Sequence, residues 1–320
     1  MHRRAVAGSR ESERSGKNER SGIVITKKQV RVGSRDSKLA VVQAEIIMAA
    51  IARQHPEIEL TLVPMKTTGD MILDRRLDEI GGKGLFVKEL DRALREGRID
   101  ISVHSLKDMP MEVPDDLPLL AFSQRENPFD AWVLPAGAER FDTKKPIGSS
   151  SPRRCLQIEK LHPGSRVESV RGNLQTRLAK LDDGEYGALI LACAGLQRLG
   201  LAGRIARTFS ADEIIPAAGQ GTLCVQGRAG EDYSYLDAVD CPQSRIESLA
   251  ERAFVAWLDG GCSSPIAAYA QVSEGKVLIR GMYFDEETKQ CRTGKISGEA
   301  GQAQTLAQQL AEELQGGKNA

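Results

Sequence analysis

The chain is short of aromatic residues. Phe, Trp and Tyr make up 4% of its 320 residues, too few to build a stacking surface for unpaired bases. It has four histidines and six cysteines, none of the cysteines paired as C-x-x-C. The histidines do not cluster with the cysteines in sequence, so no metal site is expected. Neither a Walker A loop nor a Rossmann fingerprint occurs; the glycine-rich stretches GGKGLF (81–86) and GQG (219–221) match neither. No apolar run approaches the length of a membrane span. Residues 1–28 lack the apolar core of a secretory signal. A cytoplasmic protein with reduced thiols and no membrane partner is the expectation.

An excess of one charge is missing as well. The 44 Lys and Arg balance the 44 Asp and Glu, so no overall field draws the chain to nucleic acid. The balance is uneven along the chain. Eight basic and three acidic residues give positions 1–28 a net charge of +5, leaving −5 for the rest. That basic stretch, rich in Ser, Gly and Arg, reads as a disordered tail.

What is present is ordinary globular material, 41% hydrophobic and 28% charged, in a chain longer than one ordinary domain. Val30–Arg35 predicts a strand. Ser37 stands where it would cap a helix carrying Leu39, Val42, Ile46 and Ala50 at helical spacing. A strand over Ile58–Lys66, a helix over Gly84–Gly97 and a strand over Ile99–Ser105 follow. This alternation predicts a parallel sheet covered by helices. A second one has strands at 131–134, 146–150, 166–170 and 188–192 and helices at 151–161 and 173–181. The third region differs: a helix over 244–258, a Gly-Gly-Cys turn, antiparallel segments at 267–272 and 276–282, and a helix over 305–314. The expectation is three domains, two α/β and a small C-terminal α+β. Their bounds are 29–124 with a return segment at about 216–240, then 125–215, then 241–320, after the tail at 1–28.

Arginines recur at Arg35, Arg153, Arg154, Arg171, Arg177 and Arg198, several of them where strands give way to helices. Ligands of α/β sheets bind at the carboxyl ends of strands and at the helix N-termini facing them. Guanidinium pairs carboxylate in a two-pronged way. The set reads either as one cleft for a polyanionic substrate or as ordinary surface ion pairs. In DISVHSLKDMP (100–110), Asp108 is placed for acid–base work or for stabilising a cation, or it caps the next turn. His104 alternates with apolar residues and reads as a core histidine. Lys83 in GGKG adds charge to a helix start or sits on a mobile loop. Cys262, in LDGGCSSPIA between glycine and serine, is a nucleophile or, better, a covalent anchor, since glycines give an attached group reach.

In order, GSRDSKLAVVQ, GGKGLFVKEL, HSLKDMP, GSSSPRR, RGNLQTRLAKLDDGEY, GLQRLG, PAAGQG and LDGGCSSPIA resemble the porphobilinogen deaminase (hydroxymethylbilane synthase) family over about residues 29–315. The resemblance implies a transferase of tetrapyrrole (haem) biosynthesis. It would join four porphobilinogen molecules head to tail, with loss of ammonia, into hydroxymethylbilane. It implies a dipyrromethane cofactor held by a thioether to Cys262, and Asp108 as the catalytic carboxylate stabilising the cation left when ammonia departs. The family's cofactor- and substrate-binding positions fall on Arg35, Ser37, Lys83, Lys107, Ser151, Arg153, Arg154, Arg171, Arg177, Arg198 and Gln220. Two domains like periplasmic binding proteins, a third small domain and a monomeric state are also implied. Glu79 stands where the family often has lysine, Ser264 where a larger apolar residue is usual, and Gln226-Gly227 in place of a glutamate-containing segment. A solute-binding protein of the same fold would have no use for Asp108 or Cys262. A nucleic-acid binder would need a basic body.

Overall fold

The computed structural model describes residues 28–67, 87–260 and 264–316. Three sheets organise them. The first takes β1 (Lys28–Arg35), β2 (Ile58–Met65), β3 (Ile101–Ser105), β4 (Leu119–Phe122) and β10 (Leu223–Gly227) in the order β2-β1-β3-β10-β4. The second takes β5 (Asp130–Val133), β6 (Ile147–Gly148), β7 (Val167–Glu168), β8 (Ala188–Ala192) and β9 (Ile205–Thr208) in the order β7-β6-β8-β5-β9. The third is an antiparallel meander of β11 (Ala267–Ser273), β12 (Lys276–Asp285) and β13 (Gln290–Glu299).

The helices follow from local signals. Helix α1 (Lys38–Gln54) starts at Ser37, whose Oγ accepts from the N–H of Ala40 at 3.3 Å. Its Ala44, Ile47 and Ile51 pack under Val30, Val32 and Ile101 of the first sheet. Truncating one such residue, Ile51→Ala, removes roughly 2–5 kcal/mol. Helix α2 (Lys88–Arg95) covers the same sheet. Helix α3 (Pro152–Leu161) carries Pro at its first position, where the missing N–H costs nothing. Helix α4 (Leu174–Asp182) is capped by Asn173, which accepts from the N–H of Thr176 at 2.9 Å. Helix α5 (Cys193–Arg198) follows β8 directly. Helices α6 (Pro242–Trp257) and α7 (Ala303–Gln315) pack on the meander around Phe254 and Leu310.

Two expectations need correction. Neither α/β sheet is all parallel: β10 runs antiparallel to β3 and β4, and β5 antiparallel to β8 and β9. The reason is connectivity. The chain leaves the first sheet after β4 and returns into its middle as β10, so each arriving strand enters from the carboxyl edge of its neighbour. Leu223 at the start of β10 faces Ser105 at the end of β3, and Asp130 at the start of β5 faces Ala192 at the end of β8. Both crossings therefore join carboxyl edges, which brings the two ligand-binding edges together. The second correction concerns Lys28. Its charge groups it with the tail, yet it is the first residue of β1, paired with Ile58.

Candidate functional site

At the end of β3 the chain makes one 3-10 turn, Leu106–Asp108. Leu106 is fully buried among Val87, Met109, Phe122 and Cys224, and its N–H donates to the carbonyl of Thr222 at 3.0 Å. That anchor holds Lys107 and Asp108 at the carboxyl edge of the first sheet. Asp108 lines a cavity of about 20 Å³ with Arg35, Gln43, His104 and Ser105. His104 donates to or accepts from Ser102 Oγ at 2.8 Å; burial, with the Arg35 charge adding, pushes its pKa down to about 4. It is a neutral core histidine, as the alternation in sequence predicts.

Across the junction stand the first turn of α3 and the loop before β10. Arg153 and Arg154 are almost wholly buried, at 3% and 8% exposure. Both meet Asp130, the first residue of β5. Arg154 Nη2 donates to Asp130 Oδ1 at 2.7 Å, and Arg153 Nη1 lies 2.9 Å from Oδ2, off the hydrogen-bonding direction. Arg153 also donates to the Ile215 carbonyl at 2.7 Å and Arg154 to that of Ile190 at 3.1 Å. Burial alone would raise the Asp130 carboxyl, but the two guanidiniums outweigh it and hold it well below the usual carboxylate range.

Gln220 joins the two sides. Its Nε2 donates to Pro128 O at 2.7 Å and to Asp130 Oδ1 at 2.8 Å, while its Oε1 faces Arg154 Nη2 at 3.4 Å and Lys107 Nζ at 3.5 Å. The GQG sequence makes this possible. Gly219 and Gly221 have φ of +72° and +93°, the left-handed region that glycine tolerates. A Cβ at Gly219 would sit 2.7 Å from Leu106 Cγ, and one at Gly221 would collide with the Glu126 carbonyl.

The cations crowd one another. Burial pushes the Lys107 amine down to about 8, Arg154 and Arg153 adding to the push while Asp108 and Asp130 oppose it. Arg177, at 2.9 Å from the Gly172 carbonyl, falls to about 10 through burial and the charges of Arg154 and Arg171, with Asp108 opposing. Lys107, Asp108, Arg153, Arg154, Arg171, Arg177 and Gln220 thus share one electrostatic neighbourhood, with Arg35 beside Asp108. Ser151 occupies the cap position of α3 but its hydroxyl makes no capping bond. Ser37 caps α1. Arg198 turns to the crossing instead: it donates to the Gly221 carbonyl at 2.5 Å, with its pKa near 10 from burial. Lys83 and Cys262 lie outside the described residues. The chain leaves α6 toward Cys262 through Asp259, at φ +51°.

Sequence reasoning passed over Asp130, Arg125 and Glu251. A signal existed for Asp130: it opens the apolar strand DAWV, and a carboxylate buried there needs a cation. Arg125, in the outgoing crossing, donates to Glu251 at 2.7 and 3.2 Å and to the Gln220 carbonyl at 3.0 Å. Glu251 accepts in turn from the N–H of Gly219 at 2.7 Å and of Ala270 at 2.8 Å. Nothing local in sequence pairs these residues.

Residues 30–235 match the family model described as "Porphobilinogen deaminase, dipyromethane cofactor binding domain", and residues 245–316 match that described as "Porphobilinogen deaminase, C-terminal domain". The porphobilinogen deaminase of Ruminiclostridium josui is 51% identical over 292 residues, 91% of this chain and 99% of that protein. That of Acetivibrio thermocellus is 53% identical over 292 residues, 91% of this chain and 100% of that protein. Among solved structures, the effector-binding domain of BenM with benzoate aligns at a TM-score of 0.39 and 18% identity, over 67% of this chain and 89% of that one. On the two family models and these near full-length relatives, the chain belongs to the porphobilinogen deaminase family.

Proposed function

We propose that this protein deaminates porphobilinogen and polymerises four molecules of it, head to tail, into hydroxymethylbilane on a covalent dipyrromethane primer. The observation that carries the reading is the cation-rich cluster at the joined carboxyl edges, with Asp108 among its members. Each pyrrole unit bears an acetate and a propionate, so a primer of two units brings four carboxylates. The cluster fits such a group. Among the described residues the buried Arg154 Nε has no hydrogen-bond partner, a costly orphan donor, and the mutual repulsion of Lys107, Arg154, Arg171 and Arg177 is what bound carboxylates would relieve.

In this reading Cys262 anchors the primer. Arg35, Ser37, Lys83, Lys107, Ser151, Arg154, Arg171 and Arg177 receive carboxylates of primer and substrate. Arg153 and Arg198 contribute mainly by fixing their neighbours, and Gln220 by bridging Lys107 to Arg154. When bound, the primer supplies the pyrrole carbon on which the chain grows. Asp108 holds its negative charge where the substrate pyrrole becomes cationic as ammonia leaves, and charge preorganised at that point lowers the barrier. The same carboxylate is placed to accept a proton from the pyrrole ring afterwards. The expected domains are 29–124 with the return at about 216–240, 125–215, and 241–320. The reading carries with it a cytoplasmic monomer whose partner is porphobilinogen, with no nucleic acid or membrane; among the described residues no helix is long and apolar enough to cross one. Asp108→Asn tests the chemistry: ammonia release and hydroxymethylbilane formation should drop at least a hundredfold, and near-native turnover would remove Asp108 from the mechanism.

A further inference from the structure

We propose that Asp130 is a positioning residue: through the Gln220 side-chain amide it sets where Lys107 stands relative to Arg154, and so fixes the spacing of the cations across the junction of the two α/β sheets. The inference deepens the proposed function and rests on it for its kinetic consequences.

A glutamine amide has one donor end and one acceptor end. The donor end of Gln220 is claimed by two groups that only accept, the Pro128 carbonyl at 2.7 Å and Asp130 Oδ1 at 2.8 Å. With Nε2 so committed, Oε1 must face the other way, and there it meets Lys107 Nζ at 3.5 Å and Arg154 Nη2 at 3.4 Å. Asp130 Oδ1 also takes Arg154 Nη2 at 2.7 Å. One carboxylate oxygen therefore fixes the amide and one guanidinium together. Pro128 alone would not select this arrangement so firmly, because an amide at position 130 presents its own N–H groups to Gln220 and invites the flip. The flipped amide would turn N–H toward Lys107 and Arg154, donor against donor.

Asp130 is fully buried and Gln220 is 1% exposed, so water does not blunt either effect. The charged groups acting on Lys107 include Asp108 on its own turn, Asp130 at the start of β5, and Arg153 and Arg154 on α3. Of these, Asp130 touches both arginines and, through Gln220, reaches Lys107. Removing its charge leaves Lys107 facing two cations with one fewer anion, which favours the neutral amine.

The test uses the full chain carrying Asp130→Asn, with Gln220→Leu as a second variant that keeps the Asp130–arginine contacts. The first readout needs no catalysis. The pH midpoint for acetic anhydride labelling of Lys107, measured by peptide mass spectrometry, should lie near 8 in the native protein and fall by about one pH unit in Asp130→Asn. The second readout is steady-state kinetics on the holoenzyme: KM for porphobilinogen should rise about tenfold in either variant, with kcat within about threefold of native, and the double variant should be little worse than each single. A native midpoint together with a native KM in a folded Asp130→Asn protein would overturn the proposal. If that variant does not fold, Gln220→Leu decides: a native KM overturns the proposal and a tenfold rise supports it. Strictly additive losses would also overturn it, since the two residues would then act separately. A shifted midpoint in a native protein that makes no hydroxymethylbilane would uphold the positioning and sink the proposed activity.

Discussion

Single residues here do work that their neighbours dictate. Lys107 is the clearest case, its amine pushed down to about 8 by burial and by Arg154 and Arg153. As pH rises through that value the charge is lost, and with it a carboxylate contact. KM for porphobilinogen should rise about tenfold per pH unit above about 8, and Lys107→Arg, which stays charged, should remove that limb from the profile. His104 is depressed by burial in the same direction, and there the consequence falls on stability. Its folded pKa of about 4 lies below the ordinary 6.5, so the unfolded chain binds the proton first. Stability is full above about 6.5 and is lost as pH falls toward 4, by about 3 kcal/mol. Urea unfolding should show that acid loss in the native protein and a flatter curve in His104→Gln; equal slopes would refute it. The placement of Asp108 and Lys107 after a strand was legible in DISVHSLKDMP, as was the core role of His104. Asp130 was not, because its partners come from α3 and the crossing loop, distant in sequence. Gln226, which departs from the family pattern, is buried and donates to the Leu117 carbonyl at 2.9 Å, so the amide is satisfied in place.

At the level of elements, strand and helix signals were reliable where caps and alternation were local. Ser37 and Asn173 announced α1 and α4 by their side chains. What escaped were β4, β9 and β13, short or polar strands whose identity comes from pairing and not from their own pattern; of β10, the return at about 216–240 was legible but not the strand or its direction. β10 is five residues, LCVQG, buried between β3 and β4, and only its neighbours explain its direction. The GQG loop leading into it is the most demanding local feature. Gly219→Ala should destabilise the fold by about 1–3 kcal/mol through its left-handed backbone, and more if Leu106 cannot yield. It should also raise KM, because Leu106 carries Lys107. Thermal unfolding and KM measured together test this: an unchanged KM would uncouple the loop from the site.

At the scale of the whole molecule, the three units meet at one buried ion pair. Arg125 of the outgoing crossing and Glu251 of α6 are 8% and 0% exposed at the side chain. They bind the loop before β10 and the edge of β11 in the same network. Losing the Glu251 charge leaves Arg125 only the more distant Glu247, 3.8 Å away, so Glu251→Gln should cost about 3–5 kcal/mol and loosen all three units at once; a near-native unfolding midpoint would show that the network is incidental. The three-unit plan was legible from alternating elements followed by a meander. The mixed sheets were not, since parallel and antiparallel neighbours share one local pattern. These scales meet in the proposed function, in which a cation-rich junction receives a pyrrole chain tethered at Cys262. Its most direct measurement is the denatured mass of the protein after incubation with porphobilinogen, followed by peptide mapping. An added mass of two linked pyrrole units on the Cys262 peptide, absent from Cys262→Ala, is the expected result. An unmodified Cys262 peptide after that incubation would contradict it.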